Sequence, residues 1–285
     1  SKCMRNIVMY AFRLTIGKMI EMSFLDNYKR VVIKIGSSTL THAETGSLNF
    51  SKMERLVRSI CDYRNSGMDV CLVSSGAIAV GRDVIGIKER PSDISIKQAC
   101  AAVGQGRLMM TYQKLFSEYN QNSGQVLMTK NTIVNPVSRR NVMNTFEELF
   151  DLNVVPIVNE NDTVAIDELE LEMGENDSLA AVVATIANAD LLIIMSDIDG
   201  LYDSDPRQNP DAKMIPVVRE ISEDIHAVAG GAGTKFGTGG MATKIHAVEI
   251  AYESDIDVVL MNGQHPKKLY ELFEDKPVGT LFHKG

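Results

Sequence analysis

Six short runs, each nearly all aliphatic, constrain this chain more than any other feature. They are VVIKI (31–35), DVCLVS (69–74), QVLM (125–128), VVPIV (154–158), DLLIIM (190–195) and DVVLM (257–261). Between them lie helical segments at 51–66, 76–85, 94–119, 138–151, 178–188 and 241–253, with a last one near 266–274. In the first of these, Met53, Leu56, Val57 and Ile60 share one face. Apolar strands that alternate with helices imply a mostly parallel sheet covered on both sides, an α/β fold. In such sheets ligands gather beyond the carboxyl ends of the strands. The residues that follow each strand therefore carry the functional reading.

Composition narrows the classes. With 285 residues, 45% of them hydrophobic, the chain can bury a large core. Its 29 basic and 37 acidic residues give a net charge of −8, with no long basic run, which argues against nucleic acid as a partner. No apolar run is long enough to span a bilayer, so no membrane partner is expected. Cys3, Cys61, Cys71 and Cys100 show no CxxC spacing and read as free thiols in a reducing, cytoplasmic setting. The histidines are dispersed, which argues against a zinc site. Residues 1–28 hold no acidic residue before Glu21 and precede the first convincing strand. They read as an N-terminal extension without an assigned role, with a targeting presequence as the alternative. Residues 29–285 have a length that suits one large domain or two small ones.

Several strand ends hold residues suited to anions and polar substrates. Lys34 interrupts an aliphatic strand. Either it lies on an edge strand and its stem snorkels to water, or its ammonium faces a bound anion. Gly36, Ser37 and Ser38 follow, and a glycine there lets backbone N–H groups approach phosphate oxygens. In LVSSGAIAVGR (72–82), Ser75 and Gly76 open a helix, where free N–H groups attract anions, although a plain serine cap is common. NENDTV (159–164) follows VVPIV and is either a turn or a polar substrate site, with Asp162 able to accept from an ammonium. Asn176 and Asp177 open the next helix, where capping alone would explain Asp177. Ser196 and Asp197 begin a loop rich in turn residues. Residues 237–244, GTGGMATK, form a glycine-rich turn that does not match GxxxxGK[ST]. Lys244 lies in the first turn of the following helix, the unfavourable end of the dipole for a cation unless phosphate is bound there.

Taken together these segments resemble the amino acid kinase family, from about residue 30 onward and in the family's motif order. GLYDSDPR (200–207) and GTGGMATK (237–244) are similar to the wider family. LVSSGAIAVGR, KQACAAVGQGRLM (97–109) and NENDTV are similar to its glutamate 5-kinases. The resemblance implies a three-layer αβα sandwich with a mainly parallel central sheet. It implies transfer of the γ-phosphoryl group of ATP, with Mg²⁺, to the side-chain carboxylate of L-glutamate, the first step of proline biosynthesis. Lys34, Lys244 and Asp177 are then catalytic, with Asp177 positioning both lysines. Ser75, Gly76, Asp162 and Asn176 are substrate contacts. Lys34, Gly36, Ser196, Asp197 and the stretch Thr238, Gly239, Gly240, Met241, Ala242, Thr243 and Lys244 are nucleotide contacts. Mg²⁺ is carried by the ATP phosphates, without a direct protein ligand. Proline as a feedback inhibitor and a homodimer or homotetramer are further implications.

Two departures stand out. Glu175 replaces an aspartate found in many members, and the chain is too short for the C-terminal PUA domain that many bacterial members carry. An acetylglutamate or aspartate kinase is the nearest alternative, and a non-catalytic nucleotide-binding regulator is a more distant one.

Overall fold

All six aliphatic runs become strands in the computed structural model, which describes residues 24–42, 44–89, 91–164, 176–230 and 240–284. The strands are β1 (Arg30–Ile35), β2 (Asp69–Ser74), β3 (Asn122–Met128), β4 (Val154–Glu160), β5 (Leu191–Ser196), β6 (Val217–Val218), β7 (Asp257–Asn262) and β8 (Thr280–Phe282). They form one eight-stranded sheet in the order β3-β4-β2-β1-β5-β7-β8-β6. Pairing is parallel from β3 across to β7. β8 then runs antiparallel to β7, and β6 runs parallel to β8. These last two strands have no periodic signature, because two or three residues are too few to show one.

The helices are α1 (Ser37–Leu40), α2 (Phe50–Asn65), α3 (Ala77–Ile85), α4 (Ile94–Ser117), α5 (Lys130–Val134), α6 (Pro136–Asp151), α7 (Asn176–Ile186), α8 (Glu223–Gly230), α9 (Met241–Glu253) and α10 (Lys268–Phe273). Local chemistry sets several of their starts. Asn135 accepts from the N–H groups of Val137 and Ser138, and Pro136 occupies the first helical position of α6. Asp93 caps α4 by accepting from Ile96 N at 3.1 Å. None of the helices among the described residues is long and apolar enough to cross a membrane.

Strand alternation divides the core into two layers. Val31, Ile33 and Ile35 of β1 face Met53, Leu56 and Ile60 of α2, Leu108 and Tyr112 of α4 and Leu269 of α10. Val32 faces the other way, with Val73, Leu192 and Ile194, toward Phe146 of α6, Ala180 and Val183 of α7 and Ile245 and Val248 of α9. The result is a three-layer αβα sandwich. Fully burying each of the valine, leucine, isoleucine, methionine and phenylalanine side chains among them contributes about 1.5–3 kcal/mol. The packed unit also reaches back to Phe24, ahead of the boundary expected at residue 29. Phe24, Leu25 and Tyr28 are buried in the first layer. Tyr28 OH donates to Asp257 Oδ2 at 2.7 Å.

Helices α3 and α4 meet at backbone contact distance. A Cβ on Gly104 would lie 1.8 Å from the Ala77 carbonyl oxygen, and one on Gly81 would lie 1.7 Å from that of Cys100. Gly104→Ala must push the two helices apart, and it is expected to cost about 3 kcal/mol, the upper end for overpacking. Gly106 lies two residues along the same helix, and a Cβ added there would meet nothing within 4 Å. Gly106→Ala is therefore expected to stabilise by about 0.4–1 kcal/mol. Urea midpoints of the two variants, taken at unchanged slope, should move in opposite directions.

Candidate active site

Lys34 is the starting point. It is not on an edge strand, because β1 lies between β2 and β5, with Lys34 in register with Val73 and Ile194. The snorkelling alternative thereby fails. Alternation places Lys34 with Val32, on the side covered by α7 and α9. Its residue is only 6% exposed. An unpaired ammonium there would be costly, and the partner is Asp177 in the first turn of α7. Lys34 Nζ stands 2.6 Å from Asp177 Oδ1. Lys244, in the first turn of α9 and 4% exposed, donates from Nζ to Asp177 Oδ2 at 3.1 Å. Asp177 is fully buried, and its carboxylate joins two cations from two different elements instead of merely capping its helix.

The electrostatics of this triad are one-sided. Burial by itself would raise the Asp177 carboxyl, but the adjacent ammonium groups, Lys34 foremost, reverse that and hold it below the usual carboxylate range. The triad consequently carries one excess positive charge at the carboxyl edge of the sheet. A Cβ on Gly36 would lie 3.8 Å from Lys34 Nζ, so the turn after β1 runs directly past that ammonium.

A second cluster adjoins the triad. Gly76 adopts φ +104° between β2 and α3, a turn that L side chains rarely make. It brings Ser75 toward α7. Asn176, immediately before Asp177, donates from Nδ2 to Ser75 Oγ at 2.5 Å and to Asn159 Oδ1 at 3.3 Å. Asn159 lies within β4, which continues to Glu160, and it is buried. Asn159 Nδ2 in turn donates to Gln105 Oε1 at 2.9 Å. Asp162 lies in the turn after β4 and is half-buried.

The third cluster closes β5 and β7. Ser196 Oγ donates to Asp197 Oδ1 at 2.9 Å, and Gly263 N donates to the Ser196 carbonyl at 2.6 Å. Gly240 caps α9, Met241 and Ala242 begin it, and Thr243 Oγ1 donates back to the Gly240 carbonyl at 2.8 Å. Thr238 and Gly239 lie outside the described residues.

The fold thus brings together Lys34, Asp177 and Lys244, and beside them Ser75 and Asn176. Asn159 opens the NENDTV segment that strand-end reasoning marks, without being named there, and Gln105 is a partner that such reasoning does not reach. A signal for Gln105 exists: it shares one face of α4 with Ala101, Leu108, Met109, Tyr112 and Phe116, all buried. A polar residue in a stripe of core positions requires a polar partner.

The model of the amino acid kinase family matches residues 29–262. The chain belongs to the amino acid kinase family. A glutamate 5-kinase of Clostridium acetobutylicum is 52% identical over 259 residues, covering 91% of this chain and 96% of that one. Another, of Clostridium tetani, is 50% identical over 260 residues, with 91% and 96% covered. One from Carboxydothermus hydrogenoformans is 48% identical, and the match covers 91% of this chain and 69% of that longer protein. Among solved structures, a UMP kinase from Ureaplasma parvum superposes with a TM-score of 0.61 at 18% identity, covering 90% of this chain and 99% of its own. An isopentenyl phosphate kinase of T. acidophilum gives 0.58 at 16% identity, with 90% and 100% covered. At such identities the two structures speak for the fold, and the sequence relatives speak for the branch of the family.

Proposed function

We propose that this chain catalyses the ATP-dependent phosphorylation of the side-chain carboxylate of L-glutamate, producing γ-glutamyl phosphate, the first step of proline biosynthesis. The observation that carries the phosphoryl-transfer part is the buried Lys34–Asp177–Lys244 triad at the carboxyl edge of a parallel sheet. The acceptor rests on the glutamate 5-kinases that are about half identical to the chain over nearly its whole length.

The residue types suit this reaction. A glutamate side chain has a pKa near ~4.3, so at neutral pH it is an ionised nucleophile and needs no general base. The obstacle is repulsion. Two unit charges 4 Å apart interact by ~1 kcal/mol in water and ~4 kcal/mol at an effective dielectric of 20. Lys34 offsets this by neutralising the transferring phosphoryl group, and Lys244 by neutralising the β–γ region and the leaving oxygen. Asp177 holds both ammonium groups so that they need not reorganise as charge moves. Backbone N–H groups beside Gly36 and Gly76 supply further donors for phosphoryl oxygens. Ser196, Asp197 and the start of α9 from Gly240 to Lys244 form the nucleotide side. Ser75, Asp162 and Asn176 hold the amino acid.

The Asp177 carboxylate is already engaged by two ammonium groups, which makes it a poor ligand for a divalent ion. That donor set fits Mg²⁺ entering on the ATP phosphates, where the ion would neutralise oxygen charge.

Purified protein with ATP, Mg²⁺ and hydroxylamine is expected to form the hydroxamate from L-glutamate. Hydroxamate from N-acetylglutamate or aspartate, with none from glutamate, would overturn the acceptor assignment. Proline resembles a cyclised glutamate skeleton, and the same assay with proline added tests it as an inhibitor.

A further inference from the structure

Four side chains form a one-way hydrogen-bond relay that ends at the proposed acceptor site. Gln105 Oε1 accepts from Asn159 Nδ2 at 2.9 Å. This turns the Asn159 carbonyl toward Asn176, which donates to it from Nδ2 at 3.3 Å. The same Asn176 nitrogen donates to Ser75 Oγ at 2.5 Å, so both of its hydrogens are committed. Two consequences follow at the substrate end. Ser75 accepts from Asn176, which leaves its own hydroxyl hydrogen to donate to an anionic oxygen. Asn176 is left with its carbonyl oxygen as an acceptor, suited to an ammonium hydrogen. A carboxylate acceptor and an ammonium donor are the two ends of an amino acid.

An asparagine amide can bind in either of two orientations, and only its neighbours decide between them. Asn159 is 3% exposed and Gln105 is 8% exposed, so bulk water does not compete for the relay's inner end. Gln105 is also held in place by the backbone. The preceding Gly104 stands against the carbonyl of Ala77, two residues beyond Ser75. One contact between α3 and α4 therefore sets the heights of both ends of the relay.

We infer that Gln105 is a positioning residue for the amino acid substrate: its Oε1 anchors Asn159 Nδ2, which keeps Asn159 Oδ1 toward Asn176, and so it supports one donor and one acceptor for the carboxylate and ammonium groups of glutamate. This rests on the reading of glutamate as acceptor. Gln105 touches none of the reacting atoms, and its effect reaches the site only through Asn159.

The test is hydroxamate kinetics on the full chain with Gln105→Leu and Gln105→Glu, measuring KM for glutamate and for ATP separately. Losing one buried hydrogen bond and the orientation it imposes is expected to raise KM for glutamate about tenfold in Gln105→Leu, with KM for ATP within about twofold. Gln105→Glu still offers an oxygen to Asn159 Nδ2, and its KM for glutamate is expected within about threefold of wild type. If the leucine variant does not fold, unbranched Gln105→Met carries the same expectation. Equal effects of leucine and glutamate, an unchanged KM for glutamate in Gln105→Leu, or a parallel rise in KM for ATP would each overturn the role. Failure of the wild-type chain to use glutamate would overturn the acceptor reading and this role with it. Normal wild-type turnover beside an unaffected Gln105→Leu variant would overturn this role alone.

Discussion

Replacing Lys34 by alanine is expected to lower kcat by roughly 10²–10³, about 2.7–4 kcal/mol of transition-state stabilisation, the scale seen when one charge-stabilising donor is removed. The reasoning is geometric. Lys34 enters from the centre of the sheet, and Lys244 enters from the opposite element, α9. Each stands within 3.1 Å of Asp177, at 2.6 and 3.1 Å. With Lys34 gone, Lys244 still satisfies the buried carboxylate, so the fold should survive. Lys34→Met, which keeps most of the stem's volume, separates lost charge from lost packing. Both variants should show the same fall in kcat by the hydroxylamine assay. A folded variant turning over within a few-fold of wild type would contradict the role given to Lys34.

Asp177→Asn is expected to act on both stability and rate. It leaves two buried ammonium groups without their shared counter-charge. Breaking a buried ion pair by removing one partner typically costs ~3–5 kcal/mol. The loss should appear in urea unfolding at neutral pH, and saturating MgATP should recover part of it, since the phosphates supply the missing negative charge. The rate is expected to fall by ~10², because the lysines are no longer held in place. The pH dependence follows from the carboxyl being held below its unfolded value of ~3.9. Its stabilisation is fully present above that unfolded value and is lost as pH falls through the lower folded value. The stability difference between wild type and Asp177→Asn should thus be flat from pH 8 to about 4 and narrow only below. A difference that closed near neutrality would point to another group.

Much of the architecture is legible in the chain because burial on both faces leaves an unmistakable residue pattern. β1, β2, β5 and β7 are apolar along most of their interiors, the mark of strands buried on both faces. Only the last half of β3 carries that pattern. It is an edge strand, and its opening Asn122, Ser123 and Gly124 tolerate solvent. β6 and β8 leave no such mark, because their pairing is long-range and their length is below any period. Residues 24–28 read as part of an extension, yet Phe24, Leu25 and Tyr28 lie in the core. Their apolar character is plain in the chain, but the partner surface that buries them comes from residues far along it.

The site divides along the same line. The sequence by itself determined which residues stand at strand ends, that one lysine sits in a buried strand, and that the chain resembles a kinase family. The family resemblance implies that Asp177 positions both lysines, and the tertiary structure supplies the geometry, one carboxylate with Lys34 at 2.6 Å and Lys244 at 3.1 Å. Those residues come from β1, α7 and α9, and nothing local brings them together. The tertiary structure also decided that Lys34 is central and cannot snorkel, that Asp177 does more than cap a helix, and that Asn176 meets Asn159, which in turn meets Gln105. The physical reason is that local pattern reports the face on which a residue lies, whereas an ion pair or an amide's orientation depends on which distant group occupies the space opposite. For Lys34 that opposite group is Asp177, which turns an awkward buried charge into one arm of a buried ion triad at the carboxyl edge of the sheet.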